Sequence, residues 1–145
     1  ESWKELKAKL PSAPVESKLI PFEVSVANTN EFYIDPASLS VGKDGVVRYT
    51  VVIESSGGAH TVNYEGLRCE TRERRLYAFG QPDGSWIESQ GSSWIPVHKQ
   101  EHKMHNGYPA VLFDEYFCVD RVAVASPDAA IEALNRGAAA TSGRR

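Results

Sequence analysis

Val46-Val47-Arg48-Tyr49-Thr50-Val51-Val52-Ile53-Glu54 is entered from Gly42-Lys43-Asp44-Gly45 and left through Ser55-Ser56-Gly57-Gly58. Val47, Tyr49, Val51 and Ile53 share one face of this run, and Arg48, Thr50 and Glu54 share the other. That is the period of two of a strand, not the 3.6 of a helix. The glycines at either end supply the positive φ angles of tight hairpins. Gln81-Pro82-Asp83-Gly84, between residues 76–79 and Trp86-Ile87, repeats the signal. Three such turns between β-branched and aromatic runs predict an antiparallel sheet.

Working outward, residues 20–26 and 31–34 read as short strands, the second ending in an Asp35-Pro36 turn. Residues 109–118 suit a helix or a strand, and 119–124 alternate as a strand does. Ser126-Pro127-Asp128 has the hydroxyl, the proline and the acid that open a helix, which should run to Arg136 and stop at Gly137. At the other end Trp3, Leu6 and Leu10 stand at helical spacing before Pro11, predicting a short amphipathic helix. The expected fold is therefore α+β: a curled antiparallel sheet with short N-terminal and C-terminal helices. Residues 1–14 form the first helix and its linker, 15–137 one globular domain and 138–145 a loose tail.

Composition narrows the function classes. The chain has 145 residues, 41% of them hydrophobic, enough for one domain with its own core. Sixteen Lys and Arg against nineteen Asp and Glu give a net charge of -3, so no general electrostatic drive toward nucleic acid exists. No apolar run approaches the roughly 20 residues that span a bilayer. A start at Glu1, with Met104 the one methionine, is what a processed product would show. Cys69 and Cys118 lack zinc spacing and fit either one disulfide or two buried thiols.

Several features could carry chemistry. His98, His102 and His105 lie close together, and His98-Lys99-Gln100-Glu101-His102 reads H-x-x-E-H, the pattern of inverted zinc proteases. A hydrolase also needs a third ligand, a general base and a substrate cleft. Only 43 residues follow His102, with Glu132 the one downstream candidate in the terminal helix, and Lys99, Gln100, Lys103 and Asn106 make the segment polar on nearly every side. Solvated surface histidines are the favoured reading and metal binding at His98, His102 and His105 the rival. His60 reads as a surface strand residue.

Trp86 and Trp94, each preceded by Ser, offer a candidate ligand platform, against core packing as the plainer reading. Glu65, Arg68, Glu70, Arg72, Glu73, Arg74 and Arg75 alternate in sign and read as an ordinary solvated strand edge. Glycine-rich phosphate loops, nucleophile elbows and CxxC pairs are missing, so no catalytic residue and no cofactor is assigned.

Phe32-Tyr33-Ile34-Asp35-Pro36-Ala37-Ser38-Leu39-Ser40-Val41-Gly42, continued by Asp44-Gly45-Val46-Val47-Arg48-Tyr49, has the look of a family signature. So do Tyr64-Glu65-Gly66-Leu67-Arg68-Cys69 and Tyr116-Phe117-Cys118. Together, over most of residues 20–136, they resemble the CNP1-like family, small secreted or periplasmic proteins of proteobacteria with no established activity. The resemblance implies an exported domain, often preceded by a signal peptide or a lipoprotein anchor, in which Cys69 and Cys118 match the family's two cysteines and are bridged. It supplies no catalytic residues. The expected function is a non-catalytic extracytoplasmic binding or interaction module, periplasmic or secreted, with an envelope protein or a small ligand as partner and neither nucleic acid nor a transmembrane segment. The rivals are a metal-binding protein built on the histidines and an enzyme of unrecognised type.

Overall fold

A computed structural model describes residues 2–25, 29–98 and 107–143. Among these residues, seven strands form one open antiparallel sheet: β1 (Ile20–Phe22), β2 (Glu31–Val41), β3 (Val46–Glu54), β4 (His60–Arg68), β5 (Glu73–Gly80), β6 (Trp86–Glu88) and β7 (Ile95–Pro96). They follow one another in space as in sequence, and β6 and β7 both pair with the outer side of β5, at opposite ends. The expected hairpins are present: Gly45, Gly58 and Gly84 all take positive φ, at 80°, 92° and 90°.

The Asp35-Pro36 turn expected between two strands is instead a bulge inside β2. Asp35 pairs with Thr50 and Ser40 with Arg48, so three extra residues loop out. Proline has no N–H to give a ladder, and Ser38 compensates. Its Oγ accepts the Thr50 amide (2.7 Å) and donates to the Asp35 carbonyl (2.7 Å).

The helical layer covers one face only. Helix α1 (Tyr108–Val111) continues into a wider π-helical turn, Leu112–Phe117, and α2 spans Pro127–Gly143. The ambiguous segment 109–118 is thus helical. Ser126 caps α2, its Oγ accepting the Ala129 amide at 3.1 Å. Ala130 and Leu134, one turn apart, are fully buried against β1 and β2. With Phe22, Phe32, Ile34, Tyr49, Val51, Leu67, Phe113 and Phe117 they form the core. Each large side chain so buried contributes about 1.5–3 kcal/mol.

Three further expectations fail. Residues 119–124 are not a strand: Val119–Arg121 make a 3-10 turn with positive φ at Asp120 and Arg121, and among the described residues no strand pairs with them. Helix α2 runs through Gly137 to Gly143 rather than stopping, because the alanines that follow propagate a helix well. Glycine there serves packing, since a Cβ would run into the Tyr116 hydroxyl. Residues 2–15 form no helix but a strap without regular structure across the sheet face that the helices leave open.

Candidate functional site

The strap is pinned near its start by a half-buried polar knot. Glu5 accepts hydrogen bonds from Tyr77 (2.6 Å), Arg75 (2.6 Å) and Trp94 (3.2 Å), and Arg48 approaches at 3.4 Å. Asp44 accepts the Leu6 amide (2.8 Å) and an Arg48 Nη2–H (2.9 Å), while Trp3 donates to the Asp44 carbonyl (2.8 Å). Arg68 lies 3.7 Å over the Trp3 ring, which meets Trp94 edge-on. Burial alone would push the Glu5 carboxyl up, but Tyr77, the Arg75 charge and Trp94 outweigh it and hold it below its ordinary value. Asp44 is likewise held down, with Arg48 and the Leu6 and Val46 amides overcoming its burial.

Farther along, Trp86 donates its Nε1–H to the Pro11 carbonyl at 2.7 Å. The chain must then reach β1 at the opposite edge of the sheet, so residues 11–19 cross its whole width. They form one wall of a trough of about 710 Å³, lined on that side by Ala13, Pro14, Glu16 and Leu19.

The floor of this trough is one transverse row of residues. Tyr33 of β2 pairs with Val52 of β3, and Val52 with Val62 of β4. Gly80 of β5 lies under Val62 and pairs with Trp86 of β6. Four inter-strand steps of about 4.8 Å make the row roughly 19 Å long. Gly80 keeps it open: a Cβ there would sit 2.7 Å from a Val62 methyl. The far wall carries Glu54, which pairs with His60 (2.9 Å) at the mouth of the β3–β4 hairpin. Tyr33 donates to Glu31 at 2.9 Å, and its hydroxyl is pushed up to about 12 by burial, by that bond and by the charges of Glu31, Glu54 and Glu16.

A second polar cluster lies on the helical face. Glu65 of β4 is completely buried. It accepts from Tyr49 (3.0 Å), Tyr108 (2.6 Å) and Asn63 (3.2 Å), and Arg74 stands 3.6 Å away. Burial first, and then the Glu65 charge, push both tyrosine hydroxyls well above their ordinary values. Glu65 is sealed by its partners and offers no nucleophile or base to solvent; the cluster ties β3, β4, β5 and α1 together.

Trp86 and Trp94 are thus not a pair: Trp86 ends the trough, while Trp94 packs in the strap knot. The charge run 65–75 is not a solvated edge. Glu65 is core, Arg75 binds the strap, and Arg72 makes a two-pronged bond to Asp114 (2.6 and 3.1 Å) and a third to the Val97 carbonyl (2.8 Å). Backbone pairing aims these alternating residues at two faces, each with its own partners. His60 is an exposed strand residue, as expected. His98 is exposed, and His102 and His105 lie outside the described residues. Glu132 pairs with Arg136 (3.4 Å), and among the described residues no group of three His, Cys, Asp or Glu could hold a metal ion.

Sequence reasoning missed Tyr33, Val52, Val62 and Glu54 as a set, because only the register of three strands aligns them. It also missed Glu65, whose one signal was its place two residues before the apolar, inward Leu67.

Cys69, in the β4–β5 turn, and Cys118, at the end of the π-helical turn, form a disulfide with their Cα atoms 5.1 Å apart. No helix of the described residues is long and apolar enough to cross a membrane. No curated protein and no solved structure matches the chain. The match to a known family covers residues 1–135, taking in strap, sheet and the first half of α2. By that match, which runs through the whole sheet and into the last helix, the chain belongs to the CNP1-like family.

Proposed function

We propose that this is an extracytoplasmic domain, periplasmic or secreted, that binds a ligand or an envelope partner in the trough between strap and sheet. The transverse row Tyr33–Val52–Val62–Gly80–Trp86 carries the reading. Binding pockets commonly enclose about 300–1,000 Å³, with apolar floors and a few placed polar groups. This trough has that size, an aromatic ring at each end and carboxylates along its sides. The disulfide supports the compartment, since such bonds persist in oxidising surroundings. Two reactive thiols in protein exported by its native host would remove that support.

NMR screening of peptides and saccharides of each charge type tests the trough. At least one binder should saturably shift the Trp86 indole and the Val52 and Val62 methyls while leaving Tyr49 and Tyr108 unmoved. A panel whose binders all map to the helical face, or that contains no binder at millimolar concentration, would refute the reading.

A further inference from the structure

We infer that the occupant of the trough is an extended peptide segment carrying a lysine or arginine side chain. The inference rests on the trough being a binding site and adds the chemistry of what it takes. Three observations lead there.

Length comes first. A row roughly 19 Å long, at about 3.3 Å per extended residue, spans five or six residues of a peptide. A compact small molecule would leave much of it wet. The floor is a single line of side chains across the strands, so the complementary shape is itself a line.

Charge comes second. Glu16 and Glu54 line the trough, and Glu31 holds the Tyr33 hydroxyl beside them. Among the described residues no lysine or arginine lines it. The one basic ring among the lining residues, His60, is bonded to Glu54. The site's field is negative, so an anionic ligand would be repelled and a cation drawn in. Tyr33 and Trp86 reinforce the preference, because the face of an aromatic ring attracts a guanidinium or ammonium group. Val52, Val62 and Leu19 suit the alkyl stem of such a side chain and the apolar residues flanking it.

The strap supplies the third observation. Ala13 and Pro14 already wall it as chain outside any helix or strand, just beyond the Pro11 carbonyl held by the Trp86 Nε1–H. The same wall can accompany an extended peptide, as an aromatic-lined groove does when it takes a peptide without regular structure.

The test uses the intact chain and three probes. One is a capped pentapeptide with two arginines around a phenylalanine. The second is the same peptide with citrulline, a neutral isostere, in place of each arginine. Spermidine is the third, supplying cations without a peptide. The expected result is a saturable shift of the Trp86 indole and the Val52 and Val62 methyls with the arginine peptide, at least tenfold weaker binding of the citrulline peptide, and no methyl shift with spermidine. Glu16→Gln combined with Glu54→Gln should bring the two peptides within twofold of each other; both positions are solvent-accessible, and an unchanged amide spectrum elsewhere shows that the fold persists. Equal binding of the two peptides by the unaltered chain would overturn the cation requirement while leaving the trough a binding site. Spermidine matching the arginine peptide would overturn the peptide. Silence from all three at 2 mM would overturn the inference outright, and the wider ligand panel then decides separately whether the trough binds anything.

Discussion

Glu65 is the residue whose removal should be felt most. A carboxylate with no exposure is stable only because Tyr49, Tyr108 and Asn63 donate to it and Arg74 stands close. Replacing it with leucine removes the acceptor shared by two buried hydroxyls and leaves Arg74 without its counter-charge. Breaking a buried charge pair from one side typically costs about 3–5 kcal/mol. Glu65→Leu should therefore lose about that much in urea unfolding, against about 1 kcal/mol for Tyr108→Phe. If Glu65→Leu is as stable as the unaltered chain, the cluster is not what joins α1 to the sheet. In the sequence Glu65 is one charge among seven of alternating sign. Its inward aim follows from pairing with Tyr49, a fact of register.

At the scale of elements the strap is the instructive case. Trp3, Leu6 and Leu10 have helical spacing, yet a ten-residue helix is marginal in water. The sheet offers better terms: the Leu6 amide goes to Asp44 and the Leu6 carbonyl to Arg48 (3.1 Å) instead of closing a helical turn. Glu5 and Asp44 are both held below their ordinary values, so the stability they contribute is complete above the usual carboxylate range, about pH 4. It is lost as pH falls through their depressed folded values. Asp35 has the opposite sign, because burial, only partly offset by the Ala37 amide, raises its carboxyl. Its contribution is present when protonated and fades as pH rises through that raised value, so it cannot cause an acid release. Acid should free the strap before the sheet melts, seen as a change in tryptophan fluorescence from Trp3 and Trp94 below about pH 4 with far-UV dichroism still native. Glu5→Gln should show the released signal already at neutral pH. Coincident fluorescence and dichroism transitions in both proteins would mean that the strap melts only with the sheet.

For the whole molecule, two faces of one sheet are treated differently. Helices and the disulfide seal one, while a single strap half covers the other and leaves the trough. The Cys69–Cys118 bridge joins sheet to helical layer across 49 positions of sequence. On the chain-entropy account, closing such a loop stabilises the fold by about 4 kcal/mol. The double variant Cys69→Ser with Cys118→Ser should unfold at correspondingly lower urea, matching unaltered protein measured in reductant. Identical midpoints with and without the bridge would show that core packing alone holds the layers together.

What the sequence determined by itself is local. The strand period around Tyr49, the glycine turns at 45, 58 and 84 and the Ser126 cap each depend on neighbours a few positions away, and each is found where it was read. The resemblance carried by residues 32–49, 64–69 and 116–118 likewise rests on order along the chain, and the family match confirms it. The strap, the sealed Glu65 and the trough were decided only by tertiary structure. A side chain in a strand faces one side or the other according to register, and bulges at residues 36–39 and near Tyr77 reset that register. The trough's members come from four hairpin-linked strands, an edge strand and a segment that crosses them all. Nothing in their spacing along the chain brings them together; the pairing of the strands does.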